Sequence, residues 1–226
     1  MSQTILLLGA SRGLGLGLAR EYLARGWRVI ATARDSAAEL EALAKANKNL
    51  RIEHVDIADT EGVTKLAGAL KGETLDIVFV IAGISGSVPL PLHAVSADEA
   101  ARVYLVNAYY PIVAAEAFSG LVKKAGTIAF MSSMLGSIAS NIGRADWETY
   151  RTSKAALNMG ARSFFNRHPG NAVLVVAPGW VKTDMGGPAA TFDVETSCRN
   201  VANALEKHAD KPGNRFVNYD GTELPW

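Results

Sequence analysis

An excess of charge of either sign, a set of cysteines and any long apolar run are all missing from this 226-residue sequence. Lys and Arg number 23 against 22 Asp and Glu, a formal net charge of +1, so no global field draws the chain to nucleic acid or to anionic lipid. The single cysteine, Cys198, rules out an intramolecular disulfide and suits a reducing compartment. No histidine or basic cluster lies near it in sequence, so it reads as a small buried apolar residue rather than a nucleophile. The four histidines, His54, His93, His168 and His208, stand too far apart for a metal-ligand spacing, and His54 reads as packing at a strand end. No apolar stretch approaches the roughly 20 residues that a membrane-spanning helix needs. The opening residues lack the positive region and longer apolar run of a secretory signal. The expectation is a cytoplasmic protein that binds no nucleic acid, membrane or metal.

What is present is the profile of one globular domain spanning residues 1–226, with 49% hydrophobic and 20% charged residues. Short apolar runs at 5–8, 28–32, 50–54, 77–81, 127–131 and 172–177 are rich in Val and Ile. Apolar on both faces, they read as strands buried between two helical layers. Between them, residues 14–25, 37–47, 61–70, 97–117, 150–167 and 194–208 have helical periodicity. In the first, Leu14, Leu18, Tyr22 and Leu23 share one face while Arg20, Glu21 and Arg25 take the other. Strands alternating with helices imply right-handed βαβ units. The fold class is α/β, a Rossmann-type doubly wound parallel sheet of about seven strands, the last near residues 215–217 at one edge. Such sheets bind ligands at the carboxyl ends of their strands, where loops rich in Gly, Ser and Pro fall here.

The first strand leads into Gly9-Ala10-Ser11-Arg12-Gly13-Leu14-Gly15 and then a helix. Glycines at this turn let backbone N–H groups approach a pyrophosphate, and the helix N-terminus adds a favourable dipole. Glycine-rich loops also make plain turns, but the strand-loop-helix context makes this one a dinucleotide site. At the end of the second strand an acid selects NAD through the ribose hydroxyls, whereas an arginine accepts the 2′-phosphate of NADP. Asp35 has the spacing of the acid, yet Ala33 occupies the strand end and Arg34 follows it. Arg12 is a second guanidinium within reach, so NADP(H) is the expected cofactor.

Tyr150 and Lys154, at i and i+4, share one face of a helix. A free phenol has a pKa near 10, about 4 kcal/mol away from acid–base work at pH 7. A neighbouring ammonium and a cationic nicotinamide ring would bring it down. Ser133 follows the fifth strand, where its hydroxyl is placed to hydrogen-bond a carbonyl oxygen as charge develops. Together these residues resemble the short-chain dehydrogenase/reductase family over nearly the whole chain. The resemblance implies that Asp56-Ile57 contacts the adenine and that Ala82-Gly83 ends a cofactor-side motif in which Ile81 replaces an asparagine. It implies further that Asn107 orders a relay water, and that Pro178-Gly179, Val181 and Thr183 meet the nicotinamide carboxamide. Ser133, Tyr150 and Lys154 match the remaining catalytic residues, with Lys154 also on the nicotinamide ribose. Residues 178–187 and 219–226 resemble the subgroup of C-factor-type signalling proteins and sniffer-like carbonyl reductases.

The activity so implied is NADPH-dependent reduction of an aldehyde or ketone with Tyr150 as general acid. The alternative is an NADP(H)-binding signalling or sensor protein on the same fold. The Ser133–Tyr150 interval is longer than the family's usual one, so Asn141, Arg144, Asp146 and Trp147 are expected in a pocket-lining loop at the mouth of the site. Residues 185–192 are short for a substrate lid. Trp180 and Trp226 read as packing residues. A homodimer through the Tyr150 helix, which offers Ala155, Ala156, Met159, Phe164 and Phe165, is the expected assembly.

Overall fold

The computed structural model describes residues 3–87 and 89–226. Seven strands form one sheet: β1 (Thr4–Leu8), β2 (Arg28–Ala33), β3 (Leu50–His54), β4 (Leu75–Val80), β5 (Val122–Met131), β6 (Ala172–Ala177) and β7 (Gly213–Asn218). Their order is β3-β2-β1-β4-β5-β6-β7, and every pair is parallel. Parallel pairing requires helical crossovers. These are α1 (Gly13–Ala24), α2 (Ala38–Ala46), α3 (Thr60–Ala69), α4 (Ala97–Tyr104), α5 (Tyr110–Ser119), α6 (Glu148–Arg167) and α7 (Val194–His208).

The strands divide their side chains between two cores because successive residues point to opposite faces. Ile5, Leu7, Ile77, Phe79, Leu174 and Val176 pack with Leu18, Tyr22, Leu40 and Leu205 of α1, α2 and α7. Leu6, Leu8, Val78, Val80, Val173 and Val175 pack with Val63, Leu66, Phe118, Leu157 and Phe164 of α3, α5 and α6. Gly17 lets α7 lie against α1, since a Cβ there would meet Val194 and Cys198 at 2.5 and 2.6 Å. Cys198 is buried, as the absence of a histidine or basic cluster near it suggested, and burial pushes its thiol up to about 12. His54, by contrast, ends β3 exposed rather than packed.

Two elements depart from the sequence expectation. The helix expected at 97–117 is broken by a π-helical turn, Leu105–Tyr109, between α4 and α5. An extra residue in one turn rotates the following residues by about 100°, but the run stays rich in Ala and other helix formers, so composition hides it, and such turns gather at functional sites. β5 begins at Val122, five residues before 127, because Lys123 and Lys124 mask a strand whose pairing with β4 slips between Leu75 and Ile77. Among the described residues no helix is long and apolar enough to cross a membrane, and no group of three or more His, Cys, Asp or Glu is placed to hold a metal.

Candidate active site

The carboxyl ends of β1, β2, β3, β4, β5 and β6 carry Gly9, Arg34, Asp56, Ala82, Ser133 and Pro178 to one edge of the sheet. The glycine loop is fastened to β2: the Gly9 amide donates to Thr32 Oγ1 at 3.0 Å and the Ala10 amide to the Thr32 carbonyl at 2.7 Å. Gly9 has φ +96°, and a Cβ there would meet the Ala82 amide at 2.9 Å. A side chain at Gly15 would collide with the Gly9 carbonyl, so only glycine lets α1 sit on the loop. Arg12 precedes α1 in an extended conformation, makes no side-chain cap, and no acid occupies the first turn. The first amides of α1 are therefore left for an anion.

Three acids contact the two arginines expected to read the cofactor phosphate. Arg12 Nη1 lies 2.8 Å from Asp184 Oδ2 across the cleft, and Arg34 Nε lies 3.1 Å from Asp35 Oδ2 with Nη1 3.9 Å from Asp56 Oδ2. All four partners of the two close pairs are largely exposed, so these contacts are weak and exchangeable. Asp56 Oδ1 accepts from the Ala58 amide at 2.9 Å, turning the chain after β3, with Ile57 half-buried beside it.

The catalytic candidates converge from β5, the π turn and α6. Asn107 is fully buried in the π turn, where its amide group donates to the Ile84 carbonyl at 2.8 Å and to Ser153 Oγ at 3.0 Å. Its Oδ1 accepts from the Ile84 amide at 2.8 Å. Gly83 is the residue that lets them meet: a Cβ there would stand 3.2 Å from Asn107 Oδ1 and 3.3 Å from Lys154 Nζ. Ser133 sits at the head of the short 3-10 turn Met134–Gly136, its Oγ accepting from the Leu135 amide at 3.1 Å.

Tyr150 is 8% exposed and Lys154 2%. Burial pushes the Tyr150 phenol up to about 12, with the Ser133 side chain pulling the other way. Burial likewise pushes Lys154 down to about 8. The ammonium donates to the Met131 carbonyl at 2.9 Å and lies 5.7 Å from the Tyr150 ring centre. The lowering of the phenol expected from Lys154 is thus absent in the protein alone, because the ammonium is turned to the main chain and is itself weakened by desolvation.

Sequence reasoning missed the residues that seat α6 on the site. Ser132 Oγ donates to Asn158 Oδ1 at 2.7 Å, and Asn158 Nδ2 donates to the Gly136 carbonyl at 3.2 Å. Asn158 follows Lys154 by four residues and so lies on the same helix face, which was the available signal. After β6, Pro178 accepts from Ser197 Oγ at 2.8 Å, and Gly179 takes φ +82° where a side chain would strike Phe192 and Tyr219. Val181 is buried, Thr183 Oγ1 accepts from the Gly186 amide at 3.2 Å, and Trp180 Nε1 closes the same loop onto the Gly186 carbonyl at 2.8 Å. Trp226 packs 5.6 Å from the Phe216 ring, under Arg162.

Comparison with known proteins agrees with this geometry. The family model of the short chain dehydrogenases matches residues 3–193. The C-signal protein of Myxococcus xanthus is 36% identical over 156 residues, 67% of this chain and 93% of that protein. A short-chain dehydrogenase/reductase from Burkholderia multivorans, solved with bound NADP, superposes with a TM-score of 0.97 at 41% identity over the whole of both chains. The carbonyl reductase Sniffer of D. melanogaster superposes at 0.92 with 36% identity, again over both full chains. With a seven-stranded parallel sheet, a bare glycine loop and a buried Tyr-Lys pair on one edge, the chain belongs to the short-chain dehydrogenase family of oxidoreductases.

Proposed function

We propose that the protein is an NADPH-dependent reductase of a small aldehyde or ketone, with Tyr150 as the proton donor. The observation that carries this is the convergence of Asn107 and Lys154 at Gly83, with Lys154 beside the Tyr150 ring and Ser133 beside its phenol, a set for which a pure sensor has no chemical need. The bare first turn of α1 and the glycine cradle fit a pyrophosphate, and Arg12 and Arg34 hold exchangeable acid partners that a 2′-phosphate would replace. Asp56-Ile57 lines the adenosine side, and Ala82-Gly83 runs beside the glycine loop and the Asn107–Lys154 pair. Pro178, Gly179, Val181 and Thr183 face the nicotinamide end. NADPH, when bound, supplies the hydride.

The chain's own groups do the rest. The raised phenol pKa keeps Tyr150 neutral across the physiological range, which is the form that gives a proton to a carbonyl oxygen. Ser133 is placed to donate to the same oxygen. Lys154 has a single acceptor on Met131 and donors left over for ribose hydroxyls. Both amide protons of Asn107 are occupied, so any relay water it orders donates to its oxygen or to a main-chain carbonyl of the π turn.

Two expected outcomes test this reading. NADPH binds at least about tenfold more tightly than NADH, about 1.4 kcal/mol, and supports loss of nicotinamide absorbance with a reactive aldehyde or dicarbonyl. Arg34→Ala erases most of that preference; an equal loss for both cofactors in a binding titration shows that Arg34 does not read the phosphate. The protein is also proposed to dimerise through the α4–α6 face, where Met159 of α6 is 67% exposed and Tyr104 of α4 50%, while Phe164 turns inward to the core. A groove of about 430 Å³ between Leu92, Ala101, Tyr104, Thr152 and Ala156 opens on this face. A monomeric mass by light scattering at micromolar concentration would remove the dimer.

A further inference from the structure

The long interval between Ser133 and Tyr150 ends in a cluster that the reaction scheme leaves unused. Arg151 is buried beside the proposed proton donor, and the hydrogen bonds of its guanidinium go to the preceding loop. Nε donates to the Asp146 carbonyl at 2.6 Å, Nη2 to Asp146 Oδ1 at 3.0 Å and Nη1 to Asn141 Oδ1 at 3.2 Å. Arg144 grips the same carboxylate from outside, and the two arginines hold Asp146 below the usual carboxylate range. Trp147 comes next, with φ +60° and ψ 28°, a left-handed conformation that a bulky residue adopts only when its surroundings impose it. Its carbonyl accepts the Arg151 amide at 2.8 Å, opening α6. Its indole meets the Tyr150 ring edge to face, 5.8 Å between centres at 79°.

We propose that Arg151 and Trp147 are positioning residues for Tyr150: the buried guanidinium locks the Asp146–Trp147 peptide, and the locked tryptophan holds the phenol ring in place and keeps water off that side. This rests on Tyr150 being the proton donor. The other groups facing Tyr150 are Ser133 and Lys154, and neither touches the clamp through a hydrogen bond. Buried charge is costly unless it is paired and hydrogen-bonded, and here each guanidinium nitrogen donates to the loop and the charge faces Asp146, so the clamp specifies one loop conformation rather than a range.

The test compares Trp147→Gly with Trp147→Phe, and Arg151→Met with Arg151→Lys. Glycine suits a left-handed residue, so Trp147→Gly folds while losing the ring. Steady-state kinetics with NADPH and a small aldehyde give one readout. The ionisation of Tyr150 in the cofactor-free protein, followed by NMR of ζ-carbon-labelled tyrosine and assigned by its loss in Tyr150→Phe, gives the other. Trp147→Gly and Arg151→Met are expected to lower kcat about tenfold or more with KM and NADPH affinity little changed. Their Tyr150 begins to ionise near about pH 10, as a hydrated phenol does, where the wild type stays neutral. Trp147→Phe recovers most of the activity and Arg151→Lys part of it. Wild-type kcat together with an unshifted resonance in Trp147→Gly overturns the proposal. If the wild type oxidises no NADPH, the reductase reading fails, and the titration alone decides the clamp.

Discussion

Tyr150→Phe is expected to lower carbonyl-dependent NADPH oxidation by about 100-fold or more while NADPH affinity stays within about twofold. The substitution keeps the ring, its edge contact with Trp147 and its place against Lys154, and removes only the hydroxyl. That hydroxyl lies beside Ser133, and burial holds it neutral, with a pKa of about 12. Losing an interaction made only as the carbonyl oxygen gains charge depresses kcat and kcat/KM together, so KM should move little. Folding stability should change little as well, since the deleted atom packs no core. Retention of most of a genuine wild-type activity in Tyr150→Phe would exclude the mechanism. Activity lost together with NADPH binding would instead point to a collapsed site.

The parts of this site that were legible in the sequence are those set by local spacing. Gly9, Gly13 and Gly15 follow a strand and open a helix, and Tyr150 and Lys154 differ by four. Both patterns survive translation into three dimensions because one turn or one helix face carries them. The bounds of α7 were legible for the same reason: Asp193 caps its first turn by accepting the Thr196 amide at 2.7 Å, and its apolar face is continuous. What was hidden depends on partners distant in sequence. Gly83 reads as the end of a motif, and only the fold shows that its missing side chain makes room for Asn107 and Lys154 together. Ser132 and Asn158 are 26 residues apart, and their pairing has no local signature. The loop before α6 was expected at the mouth of the site, but nothing in its composition says that Arg151 is buried or that Trp147 is left-handed.

The second large effect belongs to Lys154, and it is a stability effect that needs no substrate. The folded protein buries this ammonium against one accepting carbonyl at 2.9 Å and no carboxylate, so desolvation lowers its pKa from 10.5 to about 8. In the unfolded chain the amine returns to 10.5. Below pH 8 both states carry the proton and the full desolvation cost, about 3 kcal/mol, weighs on the fold. Between about 8 and 10.5 the unfolded chain keeps a proton that the folded protein has released, so this group's contribution rises with pH, and above 10.5 no cost remains. Lys154→Met removes the charge at similar volume. Urea denaturation at pH 7 and pH 10 should therefore show the wild type gaining about 2–3 kcal/mol relative to the variant over that interval. Groups common to both proteins cancel in the difference. Parallel pH curves would show that the amine is solvated in the folded protein. A wild type that gains as expected carries, at neutral pH, a destabilising ammonium 5.7 Å from the Tyr150 ring, and a cost of that kind persists at functional sites because the charge serves the reaction rather than the fold.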